Sequence, residues 1–436
     1  MEDKKHSKSL LEDVSMDEAQ VSSLVEKYDA ESRYRRLTGA QGLFISLWLA
    51  AMALFHLYTA GIATMPITIQ RAVHLTFAIV AVFILFPATK KSSKLKTPWY
   101  DWLLAIAAGC VTGYIVFFFN DIARRGAEPI DYEIYLGIAA ILLVLEAGRR
   151  VVGNVLPCMS VIFLAYCYFG NYAPGIFQIR GYSLSRIIQH MYLTPEGIFG
   201  LALGVSATFV IVFIIFGAYL SQSGGAKFFN ELALAIAGSK PGGPAKVAVV
   251  ASGLLGTING SSVANVATTG TFTIPLMKRV GYAPYYAGAV EACASTGGQL
   301  MPPIMGAGAF IMSEFLNIPY LSIAAAAIIP ALIYYTAIFS NVHIRARKKK
   351  LRGIPKSDLP SVREVMRSDG HLLVPVIVVI ITLLMKYTPL RAGFIGVVAV
   401  IIVSSLKKNT RMTLKDNFNA LVEGARGGLG VALACA

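Results

Sequence analysis

The stretch LLGTINGSSVANVATTGTFTIPLMKRVGY, residues 254–282, holds the side chains of this sequence best suited to chemistry. None of them is a nucleophile with a base beside it. Asn259, Gly260, Ser261, Ser262 and Asn265 offer neutral donors and acceptors around a glycine bend, and no charge intervenes before Lys278. Groups of this kind hold small ions; they do not break bonds. A helix arriving at the bend ends in free carbonyls at Gly256, Thr257 and Ile258, a partial negative charge suited to Na⁺. A helix leaving near Ser261 and Ser262 presents bare N–H groups, roughly half a positive charge, suited to a substrate carboxylate. Gly256 and Gly260 permit the tight turn. A hairpin whose small residues serve only close helix packing is the competing reading.

A second interruption follows. EACASTGGQLMPPIMGAGAF (291–310) sets Gly297, Gly298, Pro302 and Pro303 inside an apolar stretch. Two glycines and two prolines unwind a helix. Thr296 joins the candidate substrate contacts, and Gly297, Gly298 and Gln299 join the candidate Na⁺ ligands. Broken helices meeting at mid-membrane are the usual arrangement of ion-coupled carriers. The remaining ionisable groups read as structural. Glu291 offers a group for proton or cation coupling, but the favoured expectation is that it reaches the cytoplasmic interface or pairs with a basic loop; Glu146 is expected to pair with Arg149 and Arg150 at a helix end. His56 and His74, on apolar faces, read as buried structural histidines rather than proton relays.

These residues need elements to carry them, and the composition names the kind. Apolar residues are 56% of the 436 and charged residues 14%, against about 25% charged in a soluble domain. Apolar spans fall at 41–61, 70–88, 99–119, 133–148, 154–172, 196–220, 283–312, 320–341, 371–387 and 390–406. KKSSKLK (90–96), Arg149 with Arg150, Lys278 with Arg279, HIRARKKKLR (343–352) and LKKNTR (406–411) fall on one side, which the positive-inside rule makes cytoplasmic. The net charge of +15 is thus assigned to loops and anionic lipid rather than to nucleic acid. Segments 183–193 and 224–240 are amphipathic at helical spacing, and the five cysteines read as small buried hydrophobes. The limbs 246–258 and 264–277 would each reach only about 20 Å, short of a core of about 30 Å. A re-entrant hairpin, 246–277, entering from the cytoplasm accounts for them, with its bend in a protein-lined cavity because free backbone groups cannot face lipid. The fold class is therefore an all-α polytopic integral membrane protein with transmembrane helices, a re-entrant helical hairpin and a broken helix (283–312).

GTINGSSVANVATTGTFTIPLMKRVGY, EACASTGGQLMPPIMGAGAF and SATFVIVFIIFGAYLSQSG (206–224) resemble the fused membrane permeases of tripartite ATP-independent periplasmic (TRAP) transporters, particularly those served by TAXI-type binding proteins. The resemblance covers about 35–436. It implies an elevator-type scaffold in the bacterial inner membrane, driven by an ion gradient, usually Na⁺. It also implies an organic anion delivered by a periplasmic binding protein. It divides the chain into a cytoplasmic tail (1–40), a small-subunit-like region (41–172), a first repeat (173–345), a cytoplasmic connector (346–370) and a region (371–436) that opens a second repeat. The family's second hairpin is expected to follow, since the run after GARGG is too short to span.

The leading function is accordingly secondary transport of a small organic anion such as a dicarboxylate, oxo acid or acidic amino acid, with Na⁺ or H⁺ as coupling ion and no other cofactor. A passive anion channel and an intramembrane enzyme are the alternatives. The enzyme requires a nucleophile with base, paired aspartates or HExxH, and the sequence has none of these; nor does it have a Walker motif.

Overall fold

Long runs of Leu, Ile, Val, Phe and Ala become helices here because only a helix satisfies its own backbone where water is absent. A computed structural model describes residues 33–89 and 92–436, apart from the side chain of Asn259. Most of the 1–40 tail, Lys90 and Lys91 therefore lie outside the described residues. The structure is 77% helical, with no strand among the described residues. Seven of the described helices are long and apolar enough to cross a membrane: Gly39–Gly61, Ile67–Leu85, Trp99–Phe117, Val155–Tyr172, Leu201–Gln222, Tyr320–Lys348 and Lys356–Leu384. Asp131–Val151 is as long, with Asp131 and Glu133 in its first turn and Arg149 and Arg150 in its last, the polarity that suits the helix dipole.

The described residues divide into two compact units, one lying within Glu26–Ile211 with Leu421–Ala436, the other within Val212–Ala420. In the first unit, charge is buried in closed sets. Asp101, fully buried, accepts from Arg35 at 2.5 Å and Arg150 at 2.7 Å, and Arg35 also donates to Ile84 O at 2.8 Å. Arg150 and Arg149 both hold Glu146, as the i,i+3 and i,i+4 spacing predicts. His56 and His74, both buried, form a chain: His56 Nδ1 meets Met52 O at 2.7 Å, His74 Nδ1 meets His56 Nε2 at 2.8 Å, and His74 Nε2 meets Ser206 Oγ at 3.1 Å. Two neutral rings protonated at Nδ1, with the Ser206 hydroxyl donating, satisfy all three contacts at once.

The second unit carries both interruptions. Gly225–Ala237, the amphipathic segment of the sequence, lays Ala233, Leu234 and Ala237 against Val247 and Ala251 of the hairpin, with Leu359 of the connector packed on the same cluster. The connector is tied down further by Ile354 N donating to Gly238 O at 2.9 Å, and a capping box between Ser361 and Glu364 starts its helix Val362–Asp369.

Two expectations need correction. The cysteines are not buried: Cys110, Cys158 and Cys293 are exposed, and Cys167 and Cys435 half-buried. In a membrane protein the outward helix face is as apolar as the core, so hydropathy does not separate the two. The run after GARGG is not a short isolated piece either. It belongs to one helix, Leu414–Cys435, of 22 residues. Thr413 and Asp416 cap it reciprocally, at 2.9 and 3.2 Å, and Val422, Ala425, Leu429 and Ala432 form a buried stripe at helical spacing. The helix runs unbroken through the glycines of GARGG.

Candidate functional site

The hairpin forms with longer limbs than its apolar core suggests. The incoming helix is Gly243–Asn259, of 17 residues, and the outgoing one Ser262–Arg279, of 18 residues. These are about 26 and 27 Å long at 1.5 Å per residue. Gly242 in the left-handed region and Pro244 in the first turn start the first limb a turn early. Gly260, with φ +59°, closes it; a side chain here would be strained and would also stand 2.7 Å from Met305 O. Ser261 then caps the outgoing helix, its Oγ accepting from Ala264 N at 3.3 Å.

The second interruption lies directly against this bend. Pro284–Gly297 is helical, Gly298–Leu300 tightens into a 3₁₀ turn, and helix resumes at Ala307–Leu316. Between them the chain threads past the hairpin: Ile304 N donates to Thr257 O at 3.2 Å, and Gln299 Nε2 donates to Ser262 Oγ at 3.2 Å. Gly256 and Gly298 meet backbone to backbone, and a Cβ on Gly298 would stand 2.7 Å from Gly256 Cα. Only glycine fits on either side of that crossing.

The sequence-derived site residues are thus brought together, with distinctions. Gly256, Thr257, Gly260, Ser262, Gly298 and Gln299 share contacts across the crossing, and Ile258 and Gly297 are buried beside it. Asn265 is fully buried; its Nδ2 donates to Ser252 O at 2.8 Å, while its Oδ1 has no hydrogen-bond partner among the described residues. Thr296 is exposed, with its hydroxyl turned back to Ala292 O at 2.8 Å, and no described bond joins it to the bend. The side chain of Asn259 lies outside the described residues. The free carbonyls also need correction: Thr257 O accepts from Ile304 N, and Gly256 O from Gly260 N at 3.4 Å. Each keeps one lone pair rather than two.

Sequence reasoning missed the polar cluster next to Asn265. Glu291 neither reaches an interface nor pairs with a basic loop. It is fully buried, and four hydroxyls touch its carboxyl group: Ser252 at 3.1 Å, Ser295 at 3.2 Å, Thr269 and Thr273. A signal was present. Asn265, Thr269 and Thr273 recur every four residues on one limb, and Glu291 and Ser295 stand four apart on the next helix, so each set shares a face.

Residues 139–436, well over half of the chain, match the family described as tripartite ATP-independent periplasmic transporter, DctM component. The chain belongs to that family. Its place is accordingly the bacterial inner membrane, as a multi-pass protein. Among curated relatives, the C4-dicarboxylate TRAP transporter large permease protein DctM of Pseudomonas aeruginosa is 27% identical over 232 residues, 52% of this chain and 53% of the relative. The isethionate TRAP transporter permease protein DctMQ of Oleidesulfovibrio alaskensis is 29% identical over 168 residues, 38% of this chain and 26% of the relative. The 2,3-diketo-L-gulonate TRAP transporter large permease protein of Escherichia coli is 23% identical over 218 residues, 49% of this chain and 50% of the relative. The matches thus span about half or less of each relative's length.

Proposed function

We propose that this DctM-family chain is the permease component of a secondary transporter that imports a small organic anion, handed over by a periplasmic binding protein of the TAXI type. An inward gradient of Na⁺ or H⁺ drives it in an elevator motion. The observation that carries the reading is the crossing of two broken helical segments at Gly256 and Gly298, which sets helix ends of both polarities beside neutral polar side chains. Bends at such depth are stable only where they line a cavity, and their unmatched dipoles suit one cation and one carboxylate together. The relatives named for C4-dicarboxylate, isethionate and 2,3-diketo-L-gulonate, all organic anions, support the substrate class.

Transport assays on the intact transporter in proteoliposomes test this. Concentrative uptake should require both the binding protein and an inward cation gradient. Uptake that equilibrates without either would replace the carrier by a passive channel. The binding protein's own ligand, found by which organic acid raises its melting temperature, would name the substrate.

A further inference from the structure

We propose that the Glu291 carboxyl group, in its cage of Ser252, Thr269, Thr273 and Ser295, is a proton-binding site that couples transport to the pH gradient. The binding of the proton stands on the geometry alone; its use in coupling rests on the transport reading above.

Glu291 is fully buried, and among the described residues it makes no ion pair. Buried carboxylates ordinarily sit beside a cation, and an ionisable side chain inside a membrane protein that lacks one points to function. The groups packed around it come from three helices besides its own. The incoming limb supplies Ser252, and its nearest base, Lys246, six residues earlier, is held by His343 at 2.9 Å. The outgoing limb supplies Thr269 and Thr273, with Lys278 and Arg279 following in its last turn. From Tyr320–Lys348 come Tyr334 and Tyr335, whose hydroxyls donate to Cys293 O at 2.8 Å and Ala294 O at 2.9 Å. Ser295 lies on the same helix as Glu291.

Counting protons decides what the cage does. Each hydroxyl has one proton to give and two lone pairs. Thr269 Oγ1 lies within reach of both Glu291 Oε1 and Asn265 O, the latter at 2.8 Å. Thr273 Oγ1 lies within reach of both Glu291 Oε2 and Thr269 O, the latter at 3.0 Å. Neither threonine can donate both ways. With Glu291 ionised, the hydroxyl protons turn onto the carboxylate and four donors solvate it. With Glu291 protonated, its O–H donates to a threonine oxygen, and the threonines donate to the backbone carbonyls four residues back, a bond that helical threonines favour. One set of heavy atoms therefore serves both states. The reaction is the making and breaking of one carboxyl O–H bond, with the proton taken from water and returned to water.

The cage also has a link to the bend. Asn265 donates to the carbonyl of Ser252, the residue whose hydroxyl meets Glu291, and a Cβ on Gly298 would come within 3.1 Å of Asn265 Nδ2. Its unpartnered Oδ1 is a buried acceptor awaiting a donor. Asn265 thus touches the proton site and the glycine crossing at once, which is what coupling requires.

Infrared difference spectroscopy of the purified protein in lipid reads the site without any transport. The wild type should show the carbonyl band of a carboxylic acid that grows on acidification and is missing in Glu291→Gln. Thr273→Val, which removes one cage hydroxyl at constant shape, should shift the pH midpoint of that band and covers the case in which the glutamine variant fails to fold. In proteoliposomes of the intact transporter, uptake driven by an inward pH gradient should fall at least about tenfold in Glu291→Gln, a loss of about 1.4 kcal/mol of drive. A pH-dependent band identical in Glu291→Gln would overturn the assignment. So would a carboxylate band that answers to Na⁺ at constant pH and not to protons, since the cage would then be a metal site. If the wild type moves no anion while the band titrates through Glu291, the transport reading fails and the proton site stands.

Discussion

Among the described residues three carboxyl groups are fully buried, and two of them, Asp101 and Glu291, are held in opposite ways. Asp101, in the Glu26–Ile211 unit, lies between two arginines at 2.5 and 2.7 Å. Glu291, in the Val212–Ala420 unit, touches four hydroxyls and, among the described residues, no cation. A carboxylate between guanidinium groups is part of a fixed ion-pair set, because removing it would leave Arg35 buried without an anion. A carboxyl among hydroxyls can be charged or neutral, because hydroxyls donate and accept alike. The same contrast runs through the polar sets around them. The His56–His74–Ser206 chain has a proton arrangement that satisfies every contact, whereas the Glu291 cage has two arrangements and an orphan acceptor beside it. Closed polar sets fix a scaffold; open ones are where a ligand or proton is received.

Removing one charge from each site should break the symmetry most visibly. Asp101→Asn leaves Arg35 buried without its anion and Arg150 with Glu146 alone, and about 3–5 kcal/mol of stability should go with it. A thermal melt in detergent should show this as loss of folded protein. Glu291→Gln keeps an oxygen for the hydroxyls to donate to, and about 1 kcal/mol or less should be lost. Equal destabilisation by the two variants would erase the distinction.

The glycine crossing offers the next largest effect. Gly298→Ala forces a methyl group onto the Gly256 backbone, and overpacking of this kind costs about 1–3 kcal/mol. Since that strain falls on the bend, anion uptake should drop by up to about 100-fold. Gly288→Ala, on the helix Pro284–Gly297 that leads into this turn and with nothing within 4 Å of its new methyl, should be neutral or stabilising by up to about 1 kcal/mol. Comparable uptake by both variants would show that the crossing is packing and no more.

Ser261→Ala sharpens the comparison at the tip itself. It removes the cap of the outgoing helix and one polar group from the bend. Insertion should be normal and uptake about tenfold weaker, equivalent to about 1.4 kcal/mol. Unchanged uptake would remove Ser261 from the site.

The smallest effect concerns Asp416, an exposed acid unlike either buried one. The Thr413 hydroxyl, then the Thr413 amide, hold its carboxyl below the usual aspartate range. A depressed folded-state value means that the contribution is present above the unfolded value and is lost as pH falls through the folded one. Asp416→Asn should therefore lower the melting temperature slightly at neutral pH, with the difference vanishing below the aspartate range. A difference independent of pH would assign the effect to the amide substitution itself.

Much of this was legible in the sequence. Apolar runs located the helices to within a few residues, since a run such as 99–119 has few ways to satisfy its backbone in lipid except the observed Trp99–Phe117. Gly260 with Ser261 and Ser262 located the bend, because a left-handed residue followed by a hydroxyl cap is a local signal. The Glu146 pairings followed from spacing on one helix. The final helix was missed because only the short apolar run after GARGG was weighed, although the stripe at 422, 425, 429 and 432 was there to be counted.

What the chain alone determined, then, was everything local: helices, caps, bend and break, all set by residues a few positions apart. What only the tertiary structure decided was which polar groups meet. The contact of Gly256 with Gly298 joins residues 42 positions apart, and the Glu291 cage draws on three helices. Periodicity says which face of a helix is polar, but not which other face it meets. In a membrane protein the ambiguity is greater, because outward and inward faces are equally apolar. The burial of Glu291, and with it the distinction between a carboxyl at an interface and one that can hold a proton, came from the packing of those helices.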